Sequence, residues 1–386
     1  MMNKLTGLIH DEQIFSKNHL INTSLKYGFT RNYVIERHLW CYELLAHLQN
    51  FTSKTCVLKG GACTQIYLPL ANQRCTADID CLTSLSSKDL EEILTNIKEN
   101  FNSNDINFSF KEYVPSSGKN LPMATFMIDL PFYYNPKKHK NNFLLKMDFV
   151  FMDVSSLSLE TPTSLKTFGM DLNYAPICIC PISLISDKLL TFAINSIGLE
   201  TFKVDSFYKN IYDLYYLIYS REDFDTLCKV SDKIKESVSM ELALKKLPTI
   251  NINKLLNDIL RTLLYFSIVD LNYEHSTPPR KLYDFERLYL QKDIKEALNK
   301  DTWSIMSMHL YLWTKALKRY INSKNKDHFE NINSVKSEYE YFLTLSSKNK
   351  SKYIKTLKSL INSKNKKIKL RTIDDPLRLI YMNYLF

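Results

Sequence analysis

Two aspartates one residue apart, Asp78-Ile79-Asp80, follow a turn that carries two adjacent glycines, Gly60-Gly61, and this combination sets the chemistry to expect. Residues i and i+2 of a strand point to one face about 6.6 Å apart along the chain, so both carboxylates are offered together while Ile79 turns into the core. Hard oxygen ligands held in this way suit Mg2+, which is usually bound by one or two carboxylates plus substrate phosphates and water. The glycine pair lets the backbone approach a ligand closely and turns its amides toward phosphate oxygens at the start of the following helix. Only seven glycines occur in the 386 residues, and two stand here. A Gly-Gly turn followed by a paired-aspartate strand reads as a nucleoside-triphosphate site.

The elements that must position these groups are legible around them. Cys56 to Leu58 is a short apolar strand, a helix runs from the glycines to Pro69, and a second strand carries Asp78 and Asp80. Phe143 to Val154 alternates as another strand, with Phe143, Leu145, Met147, Phe149 and Phe151 on one face and Lys146, Asp148 and Val150 on the other. A Lys and an Asp in so apolar a segment need a reason. They are either a surface pair on an edge strand or part of the site.

The residues Lys59-Gly60-Gly61, Tyr67 and Arg74-x-Thr76-x-Asp78-Ile79-Asp80 resemble the first motif of the AbiEii/AbiGii toxin family of abortive-infection nucleotidyltransferases, within the DNA polymerase β-like nucleotidyltransferase superfamily. The resemblance spans roughly residues 30 to 220. Ala62 departs from it, standing where the family usually has Ser or Thr, with Thr64 two places further on.

The resemblance implies an enzyme that moves a nucleoside monophosphate from an NTP to an acceptor hydroxyl and releases pyrophosphate. Asp78 and Asp80 would hold two Mg2+ ions, and Asp148 would complete the metal cluster and help deprotonate the acceptor, with Asp153 the alternative. Lys59, Gly60, Gly61, Arg74 and Thr76 would bind the triphosphate. Lys188, on a helix expected to begin after Pro181, matches a family lysine that contacts the triphosphate; the alternative is a solvated surface lysine. A cation near a helix start is disfavoured by the dipole, which a phosphate ligand would offset. Lys209-Asn-Ile-Tyr-Asp213-Leu-Tyr resembles a later family segment, which makes Asp213 a further active-site carboxylate or, equally, the partner of Lys209 in an i,i+4 pair.

The resemblance further implies a toxin of a toxin–antitoxin or phage-defence pair acting on RNA, most simply the tRNA 3′ end, with an antitoxin as partner. A protein or small-molecule hydroxyl is the other acceptor. A second class of function, a non-catalytic nucleotide- or RNA-binding protein on the same scaffold, has no need of the aspartate trio.

The formal charge of +10 suits an anionic partner, and Lys348 to Arg371 holds nine lysines and no acidic residue. No run approaches the ~18 apolar residues of a membrane helix, and the N-terminus lacks a signal-peptide layout, so the expected location is the cytoplasm, without membrane contact. The eight cysteines lack zinc spacing and read as reduced thiols.

The expected fold is α+β: a polymerase β-like mixed sheet domain followed by an all-helical C-terminal domain. Residues 1–50 form a helical cover in which His38 and His47 read as packing or surface residues. Residues 51–160 form the sheet core, 161–222 the helices that complete the site, and 223–386 a basic helical domain. Ser87 is the expected cap of a helix reaching Phe101, and further helices are expected over Phe207–Tyr219, Leu255–Leu264, Phe285–Leu298, Trp303–Tyr320 and Val335–Leu345.

Overall fold

A computed structural model describes residues 7–114, 121–134, 145–162, 165–199, 207–268, 280–365, 370 and 373–386, with Ser53, Arg280 and Lys281 described by backbone alone. Pro115-Ser-Ser-Gly118-Lys-Asn, which reads as a turn, Pro278-Pro279, which reads as a break between helices, Phe143, and the last lysines of the basic run, Lys366, Lys367 and Lys369, lie outside these residues.

The chain forms two compact units, Met1–Leu184 with Asp284–Ala297, and Ile185–Tyr283 with Leu298–Phe386. The first holds a mixed sheet. Its strands are β1 Cys56–Lys59, β2 Asp78–Thr83, β3 Ser109–Glu112, β4 Met123–Asp129, β5 Leu145–Phe151, β6 Leu159–Glu160 and β9 Cys178–Ile179. Their order is β3-β4-β5-β2-β1-β9-β6, and a small hairpin of β7 (Lys166–Thr167) and β8 (Met170–Asp171) stands apart. β2 runs parallel to β5 and antiparallel to β1, which sets the aspartate strand at the centre. The second unit is helical among its described residues, including Ile252–Ile268, Thr302–Ser323, Asp327–Thr344 and Ser347–Lys364. The fold is thus α+β with a separate helical unit. No helix among the described residues is long and apolar enough to cross a membrane.

The helix Asn32–Thr52 packs on β1 and β2 and is buried along most of its length. Its polar residues therefore need partners. Glu43 accepts from His10 Nδ1 at 2.5 Å and His47 Nε2 at 2.9 Å, and these bonds outweigh burial and hold its pKa at about 2. Glu36 accepts from the backbone N–H of Tyr133 at 2.6 Å and of Tyr134 at 3.1 Å, anchoring the chain after β4.

Burial outweighs those two bonds and raises the Glu36 pKa from 4.5 to about 7. A folded-state pKa above the unfolded one means that the native chain binds the proton more tightly. The resulting stabilisation is complete below about pH 4.5 and is lost as pH rises through 7. Glu36→Gln should remove this term, on the order of 3 kcal/mol. The difference in unfolding free energy between wild type and variant, measured from pH 5 to 8, should therefore slope; a flat difference would contradict the raised pKa.

Two helix boundaries differ from expectation. Ser86, not Ser87, caps Ser87–Asn102, in a capping box with Asp89. The Phe285–Leu298 pattern is two helices, Arg280–Tyr289 and Lys292–Ala297. Between them Leu290 forms a β-bridge with Arg74, and the Gln291 side chain donates to the carbonyls of Leu70 at 2.8 Å and Ala71 at 2.7 Å. Long-range bonds there replace the helical ones.

Candidate active site

Strand register places the predicted carboxylates. Lys59 is paired with Asp80, Asp80 with Asp148, and Asp148 with Thr125. Directly paired residues share a face, so Lys59, Asp80, Asp148 and Thr125 form one row across four adjacent strands. Asp78, paired with Lys146, lies in the next row on the same face. β5 lies between β4 and β2, so it is not an edge strand. Asp153 lies beyond its end, exposed and bonded to Ser155 N and Oγ at 2.9 Å each, which lowers its pKa.

The glycine turn meets this row directly. Gly60 has φ +69°, and a Cβ there would stand 2.8 Å from the Asp80 carboxylate carbon and closer still to its oxygen. Only glycine fits both the left-handed backbone and that approach. A Cβ on Gly61 would lie 3.2 Å from Arg74 Nη2 and 3.5 Å from Thr76 Oγ1, so the second glycine faces the Arg74–Thr76 loop. Gly60, Gly61, Arg74, Thr76 and Asp80 are therefore one cradle.

The loop is held from behind. Arg74 is buried; its N–H donates to Gln65 Oε1 at 2.8 Å and its Nη1 to the Cys75 carbonyl at 2.9 Å. Thr76 N–H donates to His38 Nδ1 at 3.1 Å, which leaves Nε2–H to donate to Thr167 Oγ1 at 2.5 Å. Burial, then the Arg74 charge, lowers the His38 pKa to about 3, so the ring stays neutral and can accept that bond. His38 is a packing residue with a positioning task. Thr64 does not stand in for the missing Ser or Thr at position 62, because its hydroxyl donates to the Gly60 carbonyl at 2.8 Å within the helix.

The site also contains cations that the spacing pattern left as helix-face or strand residues. Arg37 Nη2 donates to the Ala77 carbonyl at 3.2 Å and lies 3.9 Å from Asp78 Oδ1, bracing the entry to β2. A charged residue on an otherwise buried helix was the available signal. Lys146 pairs with Asp148 Oδ2, while Thr125 Oγ1 donates to Oδ1 at 2.6 Å. Burial works against the Lys146 charge, but the bond and charge of Asp148, together with Asp78 and Asp80, raise its pKa.

Among the described residues no three acidic, His or Cys side chains converge closely enough to hold a metal ion by themselves. Asp78 and Asp80, two hard carboxylates on one face beside a glycine turn, fit Mg2+ that brings phosphates and water as its other ligands. Asp148 is committed to Lys146 and Thr125.

Lys188 and Asp213 lie together in the second unit. Lys188 Nζ is 2.9 Å from Asp213 Oδ2, with side-chain exposures of 8% and 0%, which removes the surface-lysine reading. The helix runs over Pro181–Leu190, so Lys188 sits in its last turn, not near its start. The dipole there favours a cation, and the expected penalty does not arise.

The profile described as the nucleotidyl transferase AbiEii toxin of type IV toxin–antitoxin systems matches residues 43–264. No protein of curated function matches the sequence. Among solved structures the chain is similar to MenT4, a nucleotidyltransferase toxin from Mycobacterium tuberculosis, at 12% identity and TM-score 0.48, over 83% of this chain and 97% of that one. It is also similar to a presumptive nucleotidyltransferase from H. pylori, at 12% identity and TM-score 0.40, over 75% and 98%. With the profile covering more than half of its length, and the motif residues gathered at the centre of the sheet, the chain belongs to the AbiEii family of nucleotidyltransferase toxins.

Proposed function

We propose that this nucleotidyltransferase uses an Mg2+-bound NTP and transfers its monophosphate to an RNA hydroxyl, the 3′ end of a tRNA being the favoured acceptor. The observation that carries the reading is the row Asp80–Asp148, one step from Asp78 on the same face, with Gly60 packed against the Asp80 carboxylate. Asp78 and Asp80 hold the metal, which when bound neutralises triphosphate charge and polarises the phosphorus. The amides following Gly60 and the Arg74 guanidinium take phosphate oxygens, and Thr76 and Lys59 flank them. Asp148 Oδ2 accepts the acceptor's proton, or completes the metal cluster, once Lys146 turns from it toward phosphate. In the second unit the buried bond to Asp213 fixes the position of Lys188, the lysine this reading assigns to the triphosphate.

The exposed Lys348, Lys352 and Lys355 on helix Ser347–Lys364 support a polyanionic acceptor. Other lysines of the run are engaged: Lys358 lies 3.6 Å from Asp374, and Lys364 donates to the Asn383 carbonyl at 2.8 Å. Membership of a type IV toxin–antitoxin family implies an antitoxin partner.

The test is incubation of the purified protein with each α-labelled NTP, Mg2+ and total cellular RNA. Label in a tRNA-sized band that depends on Mg2+ is the expected result. Label confined to protein or to a small molecule would overturn the RNA acceptor.

A further inference from the structure

Next to the phosphate cradle lies an aromatic pair contributed by a distant segment. Phe285 and Tyr289, one helical turn apart on Arg280–Tyr289, hold their rings nearly parallel, at 22° with centroids 6.2 Å apart. The Arg74 guanidinium carbon lies 5.9 Å from the Phe285 ring centroid, and the same guanidinium faces Gly61. Tyr289 is within electrostatic reach of Arg37, Asp78, Tyr33 and Arg74, so it stands beside the aspartate strand as well.

Both rings keep a part of their surface exposed to solvent. Their backbone is fixed independently of the rings. Tyr289 O accepts from Cys75 N at 2.9 Å, Arg287 O accepts from Thr30 Oγ1 at 3.2 Å, and Leu290 bridges Arg74. The segment lies beyond residue 264, outside the part of the chain shared with the family profile. It is a wall, fixed by its own backbone, against the arginine of the cradle.

We infer that Phe285 and Tyr289 form a stacking platform for a nucleobase whose phosphates lie against Arg74 and the glycine turn. Parallel, partly exposed rings offer an apolar edge to any base, and the adjoining guanidinium adds charge attraction to the phosphate end of the same ligand. The inference rests on the proposed NTP site and adds where the base goes. The base belongs either to the incoming NTP or to the terminal nucleotide of the acceptor.

The experiment is equilibrium binding by the full-length protein of Mg2+-NTP, inorganic tripolyphosphate with Mg2+, and a short RNA. The proteins compared are wild type, Phe285→Leu, Tyr289→Leu and Tyr289→Trp. Each Leu variant should weaken binding of the base-bearing ligand about tenfold and leave tripolyphosphate unchanged. Tyr289→Trp should keep affinity, and its added indole emission should be quenched by the ligand. A loss confined to NTP identifies the substrate base, and a loss confined to RNA identifies the acceptor base. Unchanged affinity for both in the Leu variants, or unquenched emission in Tyr289→Trp should those variants not fold, would overturn the platform. Wild type binding neither NTP nor tripolyphosphate would instead overturn the parent reading of the cradle.

Discussion

Asp80→Ala should lower nucleotidyl transfer by roughly 10^3-fold or more while the protein remains folded. Asp80 is the residue on which the site converges: it is paired in register with Lys59 on one side and Asp148 on the other, and Gly60 is packed against its carboxylate. Removing it takes away a negative charge at the point where Lys146 and Lys59 are gathered, so metal and triphosphate lose their common anchor. Little stability should be lost, because Asp80 is half-buried and its strand is held by β1 and β5. Asp80→Asn, which keeps the shape and removes the charge, should be nearly as inactive. Asp153→Ala, on the exposed turn beyond β5, should match wild type. Single-turnover rates for the three variants, read beside their unfolding midpoints, test this directly. An Asp80→Ala protein with wild-type turnover would remove the aspartate strand from the chemistry.

Lys188→Met should cost about 3–5 kcal/mol of stability. The variant leaves the Asp213 carboxylate, with 0% exposure, without its Nζ partner at 2.9 Å. Removing both charges together, in Lys188→Met/Asp213→Leu, should recover most of the loss, since a buried ion pair is often no more stable than apolar side chains of similar size. The double variant also separates two roles. If the pair serves only structure, the refolded double variant transfers nucleotide normally; if either Lys188 or Asp213 takes part in the reaction, it is stable and inactive. Urea unfolding of the singles and the double provides the cycle. Single variants within ~0.5 kcal/mol of wild type would show that the pair is solvated.

What was legible in the sequence follows from range. Gly60, Gly61, Asp78 and Asp80 are read from local rules, since a glycine turn and a period-two strand need no knowledge of the rest of the chain. Asp148 was legible because Lys146 and Asp148 break the polar silence of an apolar strand, although only the β2–β5 register brings it to Asp80. Arg37 and His38 were hidden by the very helical pattern that identified their element, for their partners Ala77 and Thr76 lie about forty residues away. Lys188 was expected near the start of its helix and sits in the last turn, because Pro181 itself begins the helix. The two-residue β9 was too short to show any alternation. The break at Leu290 had no local signal at all; it exists because Arg74 is there to pair with it.

That break has a consequence in time. Gln291 and its contact on Ala71 are 220 residues apart. At about 5–20 residues per second, a ribosome needs on the order of ten to forty seconds to add the second partner after the first. Throughout that interval the loop bearing Arg74 and Thr76 lacks the cross-links from Tyr289, Leu290 and Gln291 that fix it in the finished protein. A toxin assembled in this order leaves the loop bearing Arg74 and Thr76 unfinished for most of its synthesis, and interrupted translation releases a chain that lacks the clasp.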